Sequence, residues 1–120
     1  MRRMAVGLLA VALLVACGGG GGSAQPAGSI KVTMTEWAFS PSSLSVPSGK
    51  VVFYLVNGGT ISHDIVIRDA SGTTVARSEL VSAGDSFVLT VPSLAAGKYT
   101  FVCDQPGHEA NGMHGDLTAT

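Results

Sequence analysis

Apolar and polar positions alternate from Ile30 onward: Ile30, Val32 and Met34 are interleaved with Lys31, Thr33 and Thr35, the period of a half-buried strand running to Glu36. Lys50 to Val56 is an almost continuous apolar run of β-branched and aromatic residues, halted by the turn signal of Asn57, Gly58 and Gly59. Such a run predicts a central strand covered on both sides. Further strands are predicted over His63–Arg68, Asp85–Val91, Lys98–Cys103 and Gly115–Thr120. The polar, poorly patterned residues 69–78 read as a loop with at most a helical turn. Short strands separated by turn residues at this spacing predict an all-β sandwich or barrel, one domain over residues 30–120.

Strand parity adds a first piece of chemistry. Successive side chains alternate faces, so Tyr99, Phe101 and Cys103 point the same way and the sulfur ends an inward-facing aromatic row. His63 begins a predicted strand after a turn, a place from which it can meet the loop that follows Cys103.

The N-terminus has a different pattern. Arg2 and Arg3 precede an uninterrupted apolar stretch from Ala5 to Ala16, the shape of an export signal over residues 1–16. The stretch is too short for a finished membrane span, which takes about 20 residues. Leu14, Val15, Ala16 and Cys17 resemble the bacterial lipobox, in which Cys17 becomes the lipidated first residue. The alternative is an ordinary signal peptide that leaves Cys17 as a free thiol. Residues 17–29, with Gly18 to Gly22 followed by Ser, Ala, Gln and Pro, read as a flexible linker of about 20 Å mean reach. Either a mobile tether or a passive spacer fits that composition. Export to the cell envelope, on the periplasmic side of a membrane, follows from both readings of the leader.

Charge narrows the partners. From Cys17 onward five Lys or Arg stand against eight Asp or Glu, a side-chain charge of −3 with no basic run. Nucleic acid is therefore not an expected partner.

The residues that carry chemistry are His63, Cys103, His108 and Met113. Singly, each has a plain reading: a hydrogen-bonded structural His, a small buried Cys, a Met filling the core. Together they form the set that suits one copper ion passing between two oxidation states, and a His₂Cys site with a weak axial Met reads as electron transfer. A lone thiol in an exported chain is accounted for by the same role. His114, the third histidine, reads as surface, and Met34 and Trp37 as packing.

The run from Tyr99 through Cys103, Pro106, Gly107, His108, Gly112 and Met113 to Gly115 resembles the ligand loop of the cupredoxins. The segments Phe39 to Phe53 and Asn57 to His63 resemble earlier parts of that family, so the likeness runs from about Ile30 to the end. Four residues between Cys and His are similar to azurin and auracyanin, and four between His and Met to plastocyanin. The resemblance implies a Greek-key sandwich with His63, Cys103 and His108 as a trigonal set and Met113 as axial contact. It also implies that His108 lies near the surface as the electron exit, among Pro106, Gly107, Gly112, Gly58 and Gly59.

One departure concerns acids. Asp64 stands where the family commonly has Asn, and Asp104 and Glu109 directly follow two other ligand positions. Asp64 and Asp104 are the outer-shell candidates, and carboxylates following the ligands would favour the oxidised ion and lower the reduction potential, unless Asp64 is protonated or fully hydrogen-bonded and its charge largely irrelevant.

These features predict a monomeric, membrane-tethered carrier of single electrons between redox proteins of the envelope, without a small-molecule substrate. A copper-delivery or assembly module is the alternative, although paired Cys or Met-rich runs are absent from the sequence. An oxidase or reductase needs additional histidines for further metal, and the chain has three in all.

Overall fold

A computed structural model describes residues 24–120. The leader, Cys17 and the first part of the linker lie outside the described residues. Nine strands follow: β1 (Ile30–Thr35), β2 (Ala38–Ser40), β3 (Ser43–Val46), β4 (Gly49–Asn57), β5 (Val66–Asp69), β6 (Thr74–Arg77), β7 (Ser86–Leu94), β8 (Gly97–Val102) and β9 (His114–Ala119). They form two sheets, ordered β2-β1-β4-β7 and β3-β9-β8-β5-β6. The all-β sandwich predicted from the alternation is the fold observed.

β4 is central in its sheet, pairing with β1 in parallel and with β7 antiparallel. It is not covered on both faces. Val51, Phe53, Leu55 and Asn57 are buried while Val52, Tyr54 and Val56 between them are only half-buried. Val52, Tyr54 and Val56 form the outer face, where β-branched and aromatic residues are retained for sheet packing. Periodicity had been obscured because both faces use the same residue types.

The core between the sheets joins Val32, Met34, Phe53, Leu55, Ile67, Leu89, Phe101 and Leu117, with Cys103 and Met113 in the same apolar cluster. Phe101 meets Phe39 edge to face, with ring centroids 5.1 Å apart. Across β8 and β9, Phe101 pairs with Gly115, and a Cβ on Gly115 would collide with the Phe101 ring and the Ser42 carbonyl. Gly115→Ala is therefore expected to cost about 1–3 kcal/mol through overpacking, measured by urea unfolding of the metal-free protein. A change near zero would show that the ring moves aside freely.

The polar segment after Asp69 is a strand rather than a loop. A turn closed by Asp69 Oδ1, which accepts from the Ser71 and Thr73 N–H groups, leads into β6 at the sheet edge. β6 lacks an apolar alternation because most of its residues face solvent. The strand expected to start at His63 begins at Val66 instead. Before it, Ile65 and Ser78 bond to each other, the Ser78 N–H to the Ile65 carbonyl and the Ile65 N–H to the Ser78 hydroxyl. His63 makes an isolated bridge to Val81.

Candidate metal centre

Cys103 arrives at the site as the parity argument predicts. It follows β8 directly, Tyr99 and Phe101 are buried on the same side, and the sulfur is fully enclosed. The chain then folds back in tight turns. The His108 N–H donates to the Gln105 carbonyl, the Met113 N–H to the His108 carbonyl, and the Cys103 N–H to the Met113 carbonyl. These bonds tie Cys103, His108 and Met113 into one closed loop. The Met113 side chain is fully buried.

His63 comes from the opposite side, and a different device holds it. Its N–H and carbonyl both pair with Val81. Asn57, buried at the end of β4, donates from Nδ2 to the Ile61 and Val81 carbonyls at 2.8 Å each and accepts the Gly59 N–H. The turn residue thus clamps the loop carrying His63 onto the segment that His63 pairs with.

Three donor atoms converge. His63 Nδ1 and His108 Nδ1 are 3.2 Å apart, Cys103 Sγ is 3.3 Å from His108 Nδ1, and Sγ is 3.9 Å from His63 Nδ1. The point equidistant from all three lies about 2.0 Å from each, close to metal–nitrogen and slightly short of metal–sulfur bond lengths. Residues and spacing therefore fit a small metal ion, and thiolate with two imidazoles is the donor chemistry of copper. All three side chains are buried. Burial pushes the Cys103 thiol up, with the backbone N–H groups of Asp64 and Gln105 drawing it partly back. Metal uptake at such a thiol releases a proton.

The acids around the loop are not free charges. Asp104 accepts from Arg77 at 2.7 Å, and Glu109 pairs with Arg68 at 3.0 Å. Asp64 is buried and accepts the Asp104 N–H through Oδ1 and the Gln105 amide through Oδ2, with Arg77 at 4.0 Å. Burial and the hydrogen bond with the Asp104 carboxylate push Asp64 up, while that bond and Arg77 hold Asp104 down. Asp64 is thus the hydrogen-bonded acid of the two alternatives, and two arginines from β5 and β6, distant in sequence, lie against Asp104, Asp64 and Glu109.

Two residues near the site were missed or taken only as packing. Trp37, 39% exposed, stands edge-on to the His108 ring with centroids 4.8 Å apart. His108 itself is only 7% exposed, so Trp37 covers part of what the resemblance placed at the surface. Glu36 is the other. Its Oε1 accepts the Thr60 N–H at 2.8 Å, the Ile61 N–H at 3.1 Å, and lies 3.0 Å from His63 Nε2. The Thr60 N–H is the main reason its pKa is lowered to about 2. A signal existed: Val32, Met34 and Glu36 share a parity, and the first two are buried. Met34 is core, as expected, and His114 is exposed.

The chain matches the family model described as a cupredoxin-like domain over residues 5–119. It is 35% identical over 89 residues to plastocyanin of Daucus carota, covering 68% of this chain and 87% of the relative. It is 32% identical over 92 residues to plastocyanin of Mercurialis perennis, covering 69% and 88%. In fold it is similar to dithionite-reduced auracyanin from the photosynthetic bacterium Roseiflexus castenholzii. That match has a TM-score of 0.70 at 23% identity and covers 80% of this chain and 99% of the other.

Proposed function

This chain belongs to the cupredoxin-like family, and from that premise we propose that it is a type 1 copper protein carrying single electrons between redox proteins. The observation that carries the reading is the buried triangle of Cys103 Sγ, His63 Nδ1 and His108 Nδ1, with edges of 3.2, 3.3 and 3.9 Å inside an apolar core. His63, Cys103 and His108 would hold one copper ion, with the buried Met113 as a weaker fourth partner. Copper in such a site supplies a one-electron couple between Cu(I) and Cu(II).

The residues do the rest. Backbone bonds to Val81 and within the 103–113 loop fix the segments that carry the donor side chains, which would keep reorganisation small when an electron is transferred. The apolar surroundings exclude water from the thiolate. His108 is the ligand with some solvent contact, whereas His63 and Cys103 have none, so the electron is assigned to leave past His108. Exposed Pro106, Gly107 and Gly112 flank it without charge, which suits brief contact with a partner.

The remaining assignments follow the sequence. Residues 1–16 are proposed as an export signal, Cys17 as the lipidated anchor, residues 17–29 as the tether and 30–120 as the copper domain. The protein would then act as a monomer on the extracytoplasmic side of a membrane. A delivery role is disfavoured because the donor triangle is buried, where exchange of metal with a partner is slow.

Adding Cu(II) to the full-length, detergent-purified protein tests this directly. An intense visible thiolate-to-copper band and reversible one-electron voltammetry are the expected results. Colourless or loosely held copper would remove the redox assignment.

A further inference from the structure

Four carboxylates surround the donor triangle, and three of them face arginines. Asp104 and Asp64 face Arg77, and Glu109 faces Arg68. Glu36 differs: among the described residues it has no Lys or Arg ion-pair partner, and its one such contact is His63 Nε2. The oxygen that meets the imidazole is held independently of it. Two backbone N–H groups, from Thr60 and Ile61, point at the same Oε1. Gly59 makes this approach possible, because a Cβ there would collide with the Glu36 carboxylate.

The two nitrogens of His63 thus have separate partners. Nε2 faces Glu36, and Nδ1 faces Cys103 and His108. A carboxylate accepts only, so a neutral His63 carries its proton on Nε2 and keeps its lone pair on Nδ1. A carboxylate behind a ligating imidazole orients the ring and makes it more basic.

We propose that Glu36 is a positioning residue of the centre: its carboxylate fixes the tautomer of His63 that presents Nδ1 to the metal. Its uncompensated charge, relayed through the ring, favours the oxidised ion. The proposal rests on the copper reading above for its second half, while the tautomer is a property of the metal-free protein.

The test uses full-length wild type, Glu36→Gln and Glu36→Ala. Gln keeps an oxygen to accept from Thr60 and Ile61 and removes only the charge, so this variant carries the test even where Ala impairs folding. In metal-free wild type, at a pH where the ring is neutral, ring nitrogen chemical shifts should show the single proton of His63 on Nε2. A proton at Nδ1 instead would overturn the proposal. After copper loading, Glu36→Gln should keep the charge-transfer band while the preference for Cu(II) over Cu(I) falls about tenfold, a rise in potential of about 59 mV. A merely structural Glu36 would alter stability and leave the potential in place, and an unchanged or lower potential with the band intact overturns the tuning. Absence of the band from wild type itself is the separate failure of the copper reading, and takes the tuning down with it. Gly59→Ala, which displaces the carboxylate without touching its charge, should, like Glu36→Ala, weaken the preference for the Nε2 proton and raise the potential.

Discussion

Replacing Cys103 by serine is expected to abolish the visible charge-transfer band of the copper-loaded protein completely, while the sandwich remains folded. The band requires a thiolate donor, and Cys103 is the one thiol among the described residues. Serine nearly matches the side chain in size, and its hydroxyl would lie near His108 Nδ1, 3.3 Å from the present sulfur. The backbone bond from residue 103 to the Met113 carbonyl does not depend on the side chain. The loss of stability should therefore stay near the net worth of one hydrogen bond, about 1 kcal/mol. Titration with Cu(II) followed by visible absorption gives the first number, and urea unfolding of metal-free protein the second. A surviving band would mean that some other group supplies the donor. A variant that fails to fold would assign Cys103 to packing.

Phe101→Ala has the largest expected effect on the fold. The ring is 1% exposed, stands edge-on to Phe39 and lies against Gly115 of β9. Its removal opens a cavity between the sheets two residues before the Cys103 sulfur. Truncating a buried Phe costs about 3–5 kcal/mol. A domain of this size holds roughly 5–15 kcal/mol in total, so the variant would keep little margin. Each kcal/mol corresponds to about 4–8 °C in Tm, which makes thermal unfolding a sensitive readout. Copper should offset much of the loss, since a ligand at a thousand times its Kd adds about 4 kcal/mol to the folded state. A metal-free loss below about 1.5 kcal/mol would show that β9 closes onto the vacated space.

The candidate loop from Cys103 to Met113 was legible because its information is local. Cys103, His108 and Met113 lie within eleven residues, and strand alternation alone turned Cys103 inward behind Tyr99 and Phe101. The strand from Ile30 was legible for the same reason, since alternation of faces is a property of each strand by itself, whereas the one from Lys50 was read from its unbroken apolar run and its alternation of faces was hidden. β6 was not, because an edge strand with most of its residues in solvent has no apolar face to betray it. His63 was recognised as a candidate, but its manner of holding was not. Asn57 looked like a turn residue and is also a buried clamp on Ile61 and Val81.

The sequence by itself determined that this chain is an all-β domain whose closing loop offers a thiolate, an imidazole and a thioether, because spacing and alternation act over neighbouring residues. The tertiary structure decided which charges count. Arg77 and Arg68 lie at least 27 residues from Asp104 and Glu109, and Glu36 lies 27 residues from His63. Their pairing depends on which strands become neighbours, and that is set by how the whole chain packs two sheets together. Electrostatic energy depends on separation in space, and only the folded order β3-β9-β8-β5-β6, with β1 facing it, converts those sequence distances into contacts of about 3 Å.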